Sequence, residues 1–510
     1  MKTRATAAPF ILVLLVCKSL SLAMKIAIIG GGVSGLSCAR ALSRQAPSIE
    51  YTLFDTGKRS VGGRCSSREI MIDGEKIVID HAAQYLQLHS QSHPTFRDFV
   101  MSKVRNGALV EFNSQCIGQI SGNPQLQKAQ DSNDEDHSSM NYVCPSGMGH
   151  FTKEVMMEGI EEVKQDVWIN KLVKKEGSTK WSVFGKGKCY GEFDKIIIAH
   201  NGKCADRLVS GVSTRVPAIH ERLKVNFGPS VKNMRKMHLC SLFVLAFVVP
   251  VGSIPSDYGY YSDDRFAFDV KPSADNTNSD DDYASKLAWI CNTSRKIKKV
   301  NGKYESWTLV STREYAAKNK VPQEAIPHED EVRIRNDLIS AFERCLCLPS
   351  IADDIQFSKL QLWGAAIPLN RLNCPFIYDG KEGIGVCGDW FDTGAGIGPS
   401  IETAFMSGNM LAQHIVNCDA TDAYIEDNKY HYEAIVDQNS LGDVDSRETF
   451  TGVSRQVKRG PLLNPLEYVA SMKTNGPRKQ SSTPNHERHN GNGSRGNNRR
   501  RGFHGRTTHR

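Results

Sequence analysis

Gly30-Gly31-Gly32-Val33-Ser34-Gly35 follows directly on an apolar stretch at 25–29 and opens a helical pattern that runs to about Ser43. Few folds use a strand that breaks into glycines and becomes a helix. Gly30 makes the tight turn, Gly32 lets the backbone approach a pyrophosphate, and Gly35 with Ala39 lets the helix pack closely on the sheet. Ser34 belongs to the same predicted contact set. The helix N-terminus offers free N–H groups and the positive end of its dipole to phosphates. The next strand, 51–55, ends on Asp55, a carboxylate placed to accept hydrogen bonds from ribose hydroxyls. This part of the chain is therefore an α/β dinucleotide-binding unit.

Two later segments extend the pattern. Gly62-Gly63-Arg64 combines close backbone approach with a phosphate-binding side chain. Near the other end, strand 385–387 stops at Gly388-Asp389, and Gly394-Ala395-Gly396-Ile397-Gly398-Pro399 precedes an amphipathic helix. Pro399 is predicted in the first helical position, with Gly398 among the cofactor contacts. This helix N-terminus suits the edge of a ring that gains negative charge on reduction, an effect worth about 0.5–2 kcal/mol.

At 510 residues the chain is long enough for two or three domains. Strands alternate with helices at both ends, and antiparallel signals lie between them. The predicted class is α/β: a Rossmann-type domain with an interleaved α+β substrate domain on a mixed or antiparallel sheet. The nucleotide domain takes 24–90, 145–205 and 380–420, the substrate domain takes 91–144 and 206–379, and an extension covers 421–470. Expected elements include helices at 151–163 and 338–348 and strands at 181–184, 188–193, 195–199, 240–249, 287–290 and 307–310. Residues 121–139 and 275–282 read as acidic loops.

The formal charge of +8 belongs to one end. Residues 471–510 hold two Lys, eight Arg and one Glu, so the other 470 residues sum to −1. That tail has almost nothing apolar to bury and is expected to be disordered, with an anionic partner as its sharper reading. Residues 1–23 read as a signal peptide: a basic start, a short apolar run and Ser21-Leu22-Ala23. This places the chain in the secretory pathway, or in the cytosol if Met24 is the start. No stretch reads as a transmembrane segment. Of 14 cysteines none forms a C-x-x-C pair, so no metal site is expected. Sequons lie at Asn292, ending a predicted strand, and at Asn492 in the tail.

Together the glycine fingerprint, Gly-Gly-Arg and the Gly-Asp before a glycine-led helix resemble the amine-oxidase superfamily of FAD enzymes, and within it the renalase-like oxidoreductases. Asp80-His81-Ala82-Ala83-Gln84-Tyr85 is similar to that group's Asp-x-Gly-Ala-Gln-Tyr segment. The run from Asn141 to Met148 is similar to its Pro-x-Gly-Met element, and Trp363 matches a tryptophan the group carries there. Ala82 departs from the group's glycine, and Leu362 stands where a basic residue often precedes the tryptophan. The resemblance implies non-covalent FAD and hydride transfer from a dihydronicotinamide nucleotide, NAD(P)H or an isomer, with oxygen as acceptor. Gln84 and Trp363 are the expected catalytic contacts, Gln84 through its amide and Trp363 by stacking. Trp390, Phe391 and Tyr85 are candidates for an aromatic wall, and His81 reads as a structural histidine or a proton relay. The alternatives are an amine or polyene oxidase, or a flavin fold without turnover that binds through its tail.

Overall fold

Strand Lys25–Ile29 sits inside a six-stranded sheet because the run after Lys25 needs no water: Ile26, Ala27 and Ile28 are fully buried. A computed structural model describes residues 23–121, 140–255, 265–271, 283–298, 302–394, 398–417 and 432–434. Across this sheet the order is Ile377–Asp379, Ile384–Val386, Lys195–Ile198, Lys25–Ile29, Glu50–Phe54 and Val163–Lys164. Every neighbouring pair is parallel except the first. Continuous apolar runs such as Ile196-Ile197-Ile198 are what a parallel sheet covered on both faces demands.

Helices Val33–Gln45 and Ile401–Asn417 lie against each other at van der Waals limits. A Cβ on Gly408 would stand 2.0 Å from the Ser34 carbonyl oxygen, and Ser37 Oγ donates to the Phe405 carbonyl at 2.7 Å. A three-stranded antiparallel unit, Lys171–Val173, Trp181–Gly185 and Lys188–Phe193, packs through Phe193 onto Phe54, edge to face at 5.9 Å.

The second sheet is mixed. Strand Met237–Pro250 is its spine, antiparallel to Tyr304–Ser311 on one edge and to Phe357–Pro368 on the other. Leu287–Asn292, Ala267–Lys271 and Ile117–Ser121 continue it beyond Tyr304–Ser311. Helix His328–Cys345 covers it with Leu338, Phe342 and Cys345, and Phe342 meets Trp307 at 5.2 Å. Hairpin Ser67–Ile72/Glu75–Asp80 reaches from the glycine-rich segments to this sheet. Ser306 Oγ donates to the Val78 carbonyl, and Thr308 Oγ1 to that of Asp80. Beneath it lies a fully buried ion pair, Asp80–Lys296 at 2.6 Å.

Some expected elements differ. The helix at 151–163 is short: helical turns span Met148–His150 and a wide turn Phe151–Val155. The chain then unwinds at Gly159, whose φ of +82° ends helical geometry, and Val163–Lys164 joins the first sheet. The helix expected at 338–348 begins ten residues earlier, because its first turns carry charge rather than an apolar stripe, and stops at Cys345. Pro399 precedes the last helix rather than starting it. That helix begins at Ile401, and Ser400 Oγ accepts the Thr403 N–H. Asn292 is fully buried, its side chain capping Arg295 N–H and donating to Glu305, so a folded chain cannot present that sequon. Residues 1–22 of the expected signal segment 1–23, residues 122–139 and 275–282 of the acidic loops, residues 395–397, Asn492 and the tail lie outside the described residues.

The helix contact yields a direct test. Gly408→Ala is expected to cost about 1–3 kcal/mol, the usual effect of overpacking. A thermal melt of the variant that matches wild type would show the helices are not in backbone contact.

Candidate functional site

The carboxyl ends of the parallel strands open on one cleft, the place where α/β sheets bind ligands. Its space, open solvent at the mouth included, is about 1030 Å³. Gly30, Gly32, Ser34, Asp55, Gly62, Gly63, Arg64, Trp363, Gly388 and Asp389 all line it, so most of the residues singled out in the sequence come together. Gly35 works from behind: a Cβ there would stand 1.9 Å from the Gly30 carbonyl oxygen. Gly398 is not on the lining, and its carbonyl accepts from Thr403 Oγ1 at 2.7 Å.

The local conformations explain the glycines. Gly30 has φ +120°, and a Cβ would meet the Ala199 carbonyl oxygen at 2.7 Å. Around Gly32 there is open space, nothing lying within 4 Å of its missing Cβ. The Gly62 N–H donates to the Gly31 carbonyl at 2.7 Å and so draws the two glycine segments together. Asp55 accepts the Gly31 and Gly57 N–H groups at 3.1 and 3.0 Å. Burial raises its carboxyl above the ordinary range, and the N–H groups work in the other direction.

Several side chains depart from expectation. Arg64 does not reach into the cleft as a phosphate clamp. It pairs with Asp389 at 2.7 Å and donates to the Ala366 carbonyl at 2.7 Å, bridging the first and last cofactor segments. Gln84 is fully buried off the cleft. Its amide donates to the Asp80 and Ala82 carbonyls, and its oxygen accepts from Lys296 Nζ at 2.9 Å. With both amide protons committed, it has no donor for a substrate. Of the aromatic candidates, Trp363 alone faces the cleft. Trp390 and Phe391 stack on each other at 3.9 Å in the core, and Tyr85 packs on Phe112. His81 stacks on Trp363 at 5.9 Å and lies 3.2 Å from Ser66 Oγ. Burial lowers its pKa to about 4, so the ring is neutral at ordinary pH and supports the tryptophan. Cys65 lines the cleft, but burial pushes its thiol up to about 12, which disfavours a thiolate link to a cofactor.

Sequence reasoning missed Ala199, His200, Asn201 and Ser400 in the lining. The first three follow strand Lys195–Ile198, neighbour to Lys25–Ile29, so their place at a strand's carboxyl end was the available signal.

A model of the NAD(P)-binding Rossmann-like domain matches residues 28–101. Protoporphyrinogen oxidase of Saccharomyces cerevisiae (strain ATCC 204508 / S288c) is 28% identical over 95 residues, 18% of this chain and 17% of that protein. The match thus spans less than a fifth of the curated relative. A crystal structure from Exiguobacterium sp. 255-15, provisionally assigned as a protoporphyrinogen oxidase, superposes on 77% of this chain and 98% of its own. Its TM-score is 0.51 at 10% identity. The fold is that of the FAD-dependent oxidoreductases. A putrescine oxidase bound to putrescine aligns over 77% of this chain and 99% of its own, at 11% identity and a TM-score of 0.44. FAD fits the residues present. The open space at Gly32 accepts a pyrophosphate against bare backbone, and Asp55 stands where a ribose would follow.

Two outcomes follow for this flavin site. A Gly32→Val chain should fold with an unchanged melting temperature, since its side chain enters empty space, yet purify colourless. Normal yellow colour in that variant would place the pyrophosphate elsewhere. Glu402, on the first turn of the closing helix, is buried and accepts from Ser92 Oγ at 2.6 Å and His93 N–H at 2.7 Å. Burial pushes its pKa up to about 7, against the opposing effect of those donors. Because the folded value exceeds the unfolded one of about 4.5, the folded state holds the extra proton between them, and stability falls as pH rises through that window. Glu402→Gln should therefore gain stability relative to wild type from pH 4.5 to 7. Parallel melting curves across that range would rule this out.

Proposed function

We propose that this chain is an FAD-dependent oxidoreductase that takes a hydride from a dihydronicotinamide nucleotide, NAD(P)H or an isomer, and uses oxygen as acceptor. FAD held in this cleft would supply two-electron chemistry, the hydride's two electrons and its proton, with one further proton from solvent, sufficing to reduce oxygen to hydrogen peroxide. The observation that carries the substrate reading is the pair Trp363 and His81: an indole face lining the cleft, backed by a neutral, parallel imidazole. A flat dihydropyridine ring needs a rigid stacking surface more than a base, because losing hydride makes the ring aromatic.

The chain's own groups divide the remaining work. Gly30 to Gly32 and Gly62-Gly63 bring bare backbone to the cofactor phosphates, and Asp55 is placed for ribose hydroxyls. Arg64 and Asp389 hold each other across the cleft, which keeps a buried charge of either sign from standing alone. Ser400 caps the closing helix through the Thr403 N–H, and its first residues Ile401 and Ala404 reach the cleft lining. Among the described cleft side chains the carboxylates, Asp55 and Asp389, are each already engaged, Asp55 by backbone N–H groups and Asp389 by Arg64.

An anaerobic panel decides it. Reduced nicotinamide isomers should bleach the flavin at least ten times faster than simple amines, and Trp363→Ala should slow that step while the protein stays yellow. Equal or faster bleaching by a polyamine or a porphyrinogen would replace this reading with an amine or polyene oxidase. The cleavage of the leader, export and an anionic partner for the tail belong to the same reading as proposals. Retention of the chain in cytosol when expressed with residues 1–23 would remove the first two.

A further inference from the structure

Asn370–Leu372 has a partner on each edge. On one side the Leu372 N–H donates to the Trp390 carbonyl at 2.9 Å, and the Leu372 carbonyl accepts the Asp392 N–H at 2.8 Å. This edge carries residues 390–392, directly after Gly388-Asp389 of the cleft lining. The other edge is taken by a strand from far down the chain, Tyr432–Ala434, antiparallel with Arg371 opposite Glu433 and Leu372 opposite Tyr432. Tyr432 is buried, and its hydroxyl donates to the Arg222 carbonyl. Arg371, 1% exposed, stands 3.8 Å from Glu433 on the late strand and 3.8 Å from Asp392 beside the cleft. Asn370 fixes the far end, accepting the His238 N–H and donating to the Lys236 carbonyl, both at 2.8 Å.

We propose that Tyr432 and Glu433 are positioning residues for the cofactor: strand Tyr432–Ala434 completes the sheet edge that holds Asp389 against Arg64. The inference rests on the FAD reading above. Three features carry it. Strand Asn370–Leu372 bonds to Trp390 and Asp392 through the same residue, Leu372, that faces Tyr432, so moving one edge moves the other. Arg371 is a buried cation with acidic side chains on opposite edges, Glu433 on one and Asp392 on the other, so losing Glu433 alters the pull on Asp392. Asp389, three residues before Asp392, makes the ion pair with Arg64 that crosses the cleft. The late strand thereby acts on the site without lining it.

The test uses full-length chain. FAD affinity, the visible flavin absorption envelope and the flavin midpoint potential are measured for wild type, Tyr432→Phe, Glu433→Gln and the double variant Tyr432→Ala/Glu433→Ala. The double variant should bind FAD at least tenfold more weakly and shift both the absorption envelope and the potential. Glu433→Gln should move the same three readouts in the same direction by less, and Tyr432→Phe should stay near wild type because the buried ring is kept. A double variant with an affinity within threefold of wild type and an unchanged potential overturns the proposal, even if its melting temperature falls, since the strand would then serve stability alone. Wild-type chain that takes up no FAD would overturn the cofactor reading and this inference together, whereas wild-type uptake matched by the variants overturns the inference only.

Discussion

Backbone pressed on backbone at the first turn of the fingerprint helix is the constraint on which the molecule depends. Gly35 leaves no room for a carbon between itself and the Gly30 carbonyl, and Gly408 leaves none between the closing helix and Ser34. Those two contacts set the height of the helix N-terminus above the strand ends, and so set where phosphate-binding N–H groups point. Ser37 then locks the rotation of one helix on the other through the Phe405 carbonyl. The cleft is the volume left between these two helices, the strand ends and the segment 62–65, which leads into the hairpin that reaches the second sheet.

That hairpin is where the two sheets become one structure. Asp80 ends it, and its carboxylate receives the Met148 N–H at 2.9 Å, the Ser67 hydroxyl and the ammonium of Lys296. A buried pair of this kind contributes little net stability against apolar packing, but removing one partner leaves a charge stranded, at a typical cost of about 3–5 kcal/mol. The arrangement thus favours one relative placement of hairpin and sheet over all others. Gln84 is drawn into this network through Lys296, which holds Ala83 at the cleft and His81 beneath Trp363.

What could be read from sequence follows from how local each constraint is. The fingerprint was legible because turn, close approach and helix packing each require glycine within six consecutive residues. Asp55 was legible for the same reason, lying at the end of the next strand. Arg64 was misjudged because its partner Asp389 lies hundreds of residues away, and Gln84 because its amide turns back onto the Asp80 and Ala82 carbonyls while its oxygen meets the distant Lys296; residue type alone does not say which group a side chain will find. The long helix His328–Cys345 was only half visible, since its first turns display Glu329, Asp330 and Glu331 to solvent and dipole rather than an apolar stripe. Tyr432–Ala434 gave no signal at all: three residues pairing with an edge have no periodicity to detect.

The order of strands in the first sheet has a consequence for how the chain comes into being. Lys195–Ile198 can pair with Lys25–Ile29 as soon as it is made, yet its other edge gains Ile384–Val386 only after about 190 further residues. At typical synthesis rates of about 5–20 residues per second, that is roughly 10–40 s during which an apolar edge stands unpaired. The second sheet, whose strands run almost consecutively from 237 to 368, can assemble during that wait. Folding of this protein therefore finishes late at one edge of its first sheet, and the cleft exists only once residues 384–417 have returned to the glycine-rich beginning.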